Sequence, residues 1–139
     1  MPPLIIVGEP AYLLAMRSLD HEKLHVYQLA LDFLALADQL LAAMPRGHAY
    51  LVDQLYRAAT SICLNIAEGA SEFSPADKSR FYRMSRRSAA ECAAILDVVD
   101  RLQLVSPDRL APGRDLLVQI VAMLTVMVRR RREPANART

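Results

Sequence analysis

The first residues with types and spacing suited to chemistry are His21, Glu22 and His25, in the string HEKLH. On one helical face, two imidazoles at i and i+4 hold a zinc ion, and the glutamate between them acts as general base of a hydrolase. The context here argues for something plainer. No His, Glu or Cys follows until His48, the usual third-ligand extension is absent, and the string opens a helix instead of lying inside one. A solvated first turn is the expected reading, and a zinc hydrolase the remote alternative. No Gly-rich phosphate loop, no G-x-S-x-G elbow and no plausible Cys–His pair is found, and no carboxylates stand at catalytic spacing. The expectation is a protein that is not an enzyme, with no metal and no cofactor.

The remaining chemistry is basic. Lys78, Arg80, Arg83, Arg86 and Arg87 crowd the first half of one predicted helix, and Arg129, Arg130, Arg131 and Arg132 close another, with Arg138 beyond. Cations at a helix C-terminus complement its dipole, so the second cluster has a structural reason to exist. The first cluster gains nothing from the dipole and is the better candidate for contacting phosphates. Candidate nucleic-acid-binding residues are therefore Arg80, Arg83, Arg86, Arg87, Arg129, Arg130, Arg131 and Arg132. Reckoned along antiparallel helices, the two clusters are expected to lie apart. No aromatic stacking platform is apparent beside them, so base readout is not expected. The net charge of +2 produces no global field, which leaves weak, backbone-directed binding of RNA or DNA.

Four helices must position these residues. The chain has 139 residues, enough for one domain with an adequate core, and its 53% hydrophobic content with only 4 Gly favours helix over strand. The expected organisation is an N-terminal arm over 1–20, punctuated by Pro2, Pro3 and Pro10, a bundle over 21–132, and a frayed tail over 133–139. Met16 is a plausible alternative translation start. The first helix is expected over 20–44, capped by Asp20, with Val26, Ala30, Phe33, Ala37, Leu40 and Met44 along its seam. The second covers 48–70. The third has the clearest start, with Ser74 as cap, Pro75 at the first helical position and Asp77 in the first turn. Its expected seam is Phe81, Ser85, Ser88, Cys92, Ile95, Val99 and Leu102. The fourth begins at Ser106-Pro107 or after Pro112 and runs to about 132. Short connections make this an all-α, up-down-up-down four-helix bundle.

The second helix, QLYRAATSICLNIAEG over 54–69, organises the rest. Val52, Leu55, Ala59, Ile62, Ile66 and Gly69 form one apolar face. Arg57, Ser61, Asn65 and Glu68 fall on the opposite side, with Ala58 and Leu64 beside them, and short, mixed side chains let another backbone approach closely. Both faces are expected to be used, one for the core and one for a second subunit. In the fourth helix only Gln119 and Thr125 interrupt the apolar residues over 116–128, and such a helix needs cover on more than one side. That run spans about 20 Å, short of the roughly 30 Å of a bilayer core. The expectation is a homo-oligomer with no membrane segment. Cys63 and Cys92, if the helical hairpin turns near 71–74, are offset by roughly 15 Å, too far for a disulfide. Two reduced thiols and no leader indicate a cytoplasmic protein.

The helix 2 string carries a resemblance. Arg57-Ala58-Ala59, then Ser61-Ile62, then Asn65-Ile66-Ala67-Glu68-Gly69 resembles the small four-helix proteins related to those encoded in 23S rRNA intervening sequences. That family includes the accessory variability determinant of diversity-generating retroelements. Phe81-Tyr82, Met84-Ser85, Ser88 and Glu91 are similar to the family's F-L-x-I-A-x-G-S-x-x-E. Arg87 stands where the family usually has Gly, and Lys78 where it often has Phe, so the basic cluster is partly particular to this chain. The resemblance spans about residues 24–128. It implies a ring-shaped pentamer of four-helix bundles. The retroelement member binds a reverse transcriptase and nucleic acid, but the resemblance does not itself imply a retroelement partner, and RNA, DNA or a protein such as a reverse transcriptase stand as candidate partners only. Beside it, Arg57, Ser61, Asn65, Glu68 and Glu91 are the candidate subunit-interface residues, with Arg57 expected level with Ser88 and within a turn of Glu91. An oligomeric protein-interaction scaffold without a nucleic-acid role is the alternative function.

Overall fold

The computed structural model describes residues 19–130. The arm up to residue 18, Met16, Arg131, Arg132, Arg138 and the tail over 133–139 lie outside the described residues. After a short 3-10 turn (Asp20–Lys23) come four helices: α1 (His25–Ala42), α2 (Ala49–Ser71), α3 (Pro75–Arg101) and α4 (Pro107–Arg130). No strand occurs among the described residues. Each helix packs closely against two neighbours, α1 on α2, α2 on α3, α3 on α4 and α4 back on α1, while the backbones of diagonal pairs stay further apart. This is the closed, four-cornered bundle that the periodicity and short connections require.

Its core is one continuous cluster in which Phe33, Leu55, Ile62, Tyr82, Ile120 and Leu124 are fully buried. The fully buried Ser85 is satisfied within it: Ser85 Oγ donates to the Ile62 carbonyl at 2.8 Å, where no water reaches.

Local chemistry sets the helix ends. The Ser74 hydroxyl accepts from the Asp77 amide at 3.0 Å, and Pro75 takes the first helical position, where it has no N–H to waste. Lys78 Nζ donates to the Gly69 and Ala70 carbonyls at 3.2 and 3.0 Å, closing the end of α2. Gly47 turns the chain between α1 and α2 with φ +97°. Between α3 and α4 the same left-handed task falls to Gln103, φ 56°. There the Gln103 and Leu104 amides donate back to the Asp100 and Val99 carbonyls at 2.9 and 3.1 Å.

Several expectations are corrected. The first helix is not continuous from residue 20, because Leu24 is extended (φ −84°, ψ 125°) and separates the 3-10 turn from α1. Asp20 therefore caps nothing, and His21 and His25 do not share one helix face, which removes the geometry a zinc site on HEKLH would need. In α3 the core residue is Tyr82, not the half-buried Phe81; Leu102 is exposed, and Ala89 and Leu96 replace Ser88 along the seam. In α2, Ala58 is buried, with Leu51 in place of Val52.

By length and composition alone, the 24-residue α4 contains a stretch long and apolar enough to cross a membrane, although its uninterrupted apolar run is short. Only 28% of its most apolar stretch is buried within the chain, and Val118 and Val126 are exposed. One side is covered by α1 and α3; the other is bare.

Candidate nucleic-acid interface

Two side-chain contacts set the register of α3 against α4. Arg86 Nε donates to Thr125 Oγ1 at 2.7 Å, and Arg114 Nη1 donates to Asp97 Oδ1 at 3.2 Å. Both pairs give the same antiparallel register, so Arg129, one turn beyond Thr125, comes level with Tyr82 and Arg83. The two arginine clusters therefore do not lie apart. Arg83 and Arg86 on α3 and Arg129 on α4 come to similar levels on adjacent helices at one end of the bundle, with Arg80 and Arg87 also on α3 and Arg130 at the end of α4. All six side chains are exposed.

None of the six forms an ion pair with a described carboxylate. The cross-helix ion pair, Arg114–Asp97, lies about 16 Å along α3 from Arg86. Among the described residues, positive charge is thus gathered at one end without an ion-pair partner. Two of the arginines are positioned. Arg86 is held by Thr125, whose hydroxyl also donates to the Val121 carbonyl at 2.7 Å. Arg80 lies over the Phe81 ring, 4.8 Å from its centroid, a cation–π contact that orients the guanidinium. Lys78 does not belong to the patch, because its ammonium is spent on the end of α2. Thr125 had looked like an interruption in an apolar run; its partner on another helix is visible only in three dimensions.

The candidate subunit-interface residues separate into two groups. Ser61 and Asn65 are partly used inside the chain. Ser61 Oγ lies 2.8 Å from Ser88 Oγ, and Asn65 Nδ2 donates to the Ser61 carbonyl and hydroxyl, both at 2.9 Å. This pairing sets Ser61, not Arg57, level with Ser88 and moves the α2–α3 register by one turn from the expected one. Arg57 instead meets Asp53 on its own helix at 3.0 Å, both side chains well exposed. Glu68 and Glu91 are exposed. Tyr56, Arg57, Thr60, Leu64, Glu68 and Phe81 line a shallow groove along the outer side of α2. Tyr56 donates a short hydrogen bond to Asp38 at the groove's rim, and that carboxylate raises the phenol's pKa.

Neither thiol offers nucleophilic chemistry. Both are buried and unbonded to each other. Desolvation pushes Cys63 up to about 11 and Cys92 up to about 12, so both stay protonated at neutral pH. Among the described residues no group of His, Cys, Asp and Glu is arranged to hold a metal ion. The arrangement offers exposed arginines from two adjacent helices at one end, without an ion pair to a described carboxylate, and an apolar flank on α4.

A family model described as 23S rRNA-intervening sequence protein matches residues 22–126. Among solved structures, the chain is similar to a Bacteroides thetaiotaomicron protein of unknown function from the S23 ribosomal protein family. The two are 20% identical with a TM-score of 0.69, over 74% of this chain and 97% of that one. At that identity the likeness shows the fold. No curated protein matches the chain.

Proposed function

The chain belongs to the 23S rRNA-intervening sequence protein family, and on that premise we propose that it is a non-enzymatic, self-associating helical bundle that binds nucleic acid through backbone charge. The observation that carries the reading is the meeting of two arginine clusters, some forty residues apart in sequence, on the adjacent helices α3 and α4, without an ion pair to a described carboxylate. Arginine forks suit phosphate oxygens. Counterion release makes such binding weak, indifferent to sequence and steeply sensitive to salt.

Self-association is supported by α4, whose apolar residues Val118 and Val126 stand bare, and by the α2 groove with Leu64 exposed. A ring of five copies, as the family resemblance implies, repeats the arginine cluster around its circumference and raises avidity without any new contact. A scaffold that docks a protein partner such as a reverse transcriptase is the second reading, favoured by the same bare apolar residues. Gel shift with a structured RNA tests the first. A shift is expected at low salt that fades on raising the salt severalfold, and absence of any shift at low salt contradicts it. A pull-down after nuclease treatment distinguishes the second.

A further inference from the structure

Phe73 is the most exposed large hydrophobic side chain among the described residues, at 98%. It stands at the turn between α2 and α3, and that turn is pinned on both sides. The Glu72 amide donates to the Gly69 carbonyl at 3.3 Å, the Ser74 hydroxyl caps α3, and Lys78 bonds the last carbonyls of α2. A braced turn thus holds an aromatic ring out in water, where its apolar surface gains nothing. Single exposed apolar residues are common, so position decides what this one means. Phe73 sits at the same end of the bundle as the arginines. Arg83 lies eight residues beyond Pro75, about 12 Å along α3, or three to four base steps of one strand at ~3.4 Å.

Resting on the nucleic-acid reading above, we infer that Phe73 stacks on an unpaired base while the α3–α4 arginines hold the neighbouring phosphates. The ligand class is then a nucleic acid with a loop, bulge or single-stranded end beside its duplex. In an uninterrupted duplex each base face is already stacked, and turning a base out costs a few kcal/mol. An unpaired base presents a free face of any sequence, which a lone phenyl ring can cover. Phe73 is thus the aromatic partner that the arginines lacked on reading the sequence.

The chain contains no Trp, so Phe73→Trp introduces a single fluorescent reporter at a fully exposed site that bears no part of the core. Its emission is expected to be quenched by an RNA hairpin with an unpaired loop and unaffected by a blunt duplex of the same length. Phe73→Ala is expected to weaken hairpin binding about tenfold, the equivalent of about 1.4 kcal/mol, while duplex affinity stays within about twofold and the salt slope is unchanged. Equal hairpin affinity for Phe73→Ala, or a tryptophan unquenched by bound hairpin, overturns the inference. So does a tryptophan that responds to phosphatidylserine vesicles and not to RNA, or a fall in oligomer mass in Phe73→Ala. Wild-type protein that binds neither RNA at low salt defeats the preceding reading and this one with it. Binding of both RNAs with Phe73 indifferent defeats this one alone.

Discussion

A Cβ placed on Gly69 would stand 2.6 and 2.8 Å from two carbons of the buried Tyr82 ring and 3.2 Å from Phe81 Cβ. The absence of that methyl lets α2 and α3 approach where the ring inserts. Replacing Gly by Ala in a helix ordinarily gains up to about 1 kcal/mol, but overpacking a core costs about 1–3 kcal/mol. Gly69→Ala is therefore expected to lower stability by about 1 kcal/mol, read as a lower urea midpoint; a raised midpoint would show that the ring gives way. Gln103 poses the opposite case. Its left-handed backbone costs a side-chain-bearing residue roughly 1 kcal/mol that glycine escapes. Gln103→Gly should raise the urea midpoint correspondingly. The buried thiols set a pH dependence. Burial holds both thiols above the ordinary thiol range, so the stability they contribute is intact below about pH 9 and is lost as pH rises towards about 11 for Cys63 and about 12 for Cys92. Ellman's reagent at pH 8 should accordingly leave both thiols unmodified until denaturant is added.

At the scale of elements, what was legible depended on whether the signal was local. The start of α3 was readable because Ser74, Pro75 and Asp77 act within one turn, and Ser74→Ala should cost about 1 kcal/mol by thermal denaturation. The break at Leu24 was not, because nothing near Asp20 distinguishes a continuous helix from a 3-10 turn folded back on α2, where Leu19 and His21 lie beside Leu64 and Ala67. The α3 seam holds at Ser85, Cys92, Ile95 and Val99, but its first member shifts by one for a physical reason: adjacent aromatics at 81 and 82 satisfy two seams equally, and the gap over Gly69 on another helix selects Tyr82. The same holds for the candidate site. Both clusters were visible as charge runs, but their meeting depends on the register that Arg86–Thr125 and Arg114–Asp97 share. Substituting Arg83, Arg86 and Arg129 together by Gln should reduce the slope of log affinity against log salt by about 3.

The described molecule is a four-helix bundle that leaves apolar residues exposed on its outer faces. Its core is continuous and its corners closed, yet α4 keeps bare valines and the α2 groove a bare leucine. At one end, positive charge stands without ion pairs to described carboxylates. A self-associating unit that presents several copies of that end to one polyanion accounts for both features together. Analytical ultracentrifugation of a labelled, loop-bearing RNA with excess protein tests this most directly. At about 50 mM salt the RNA should sediment with a complex heavier than one RNA plus one protein chain, and at about 200 mM it should return to its free rate. RNA that sediments as the free molecule at the lower salt, beside folded protein, would contradict the account.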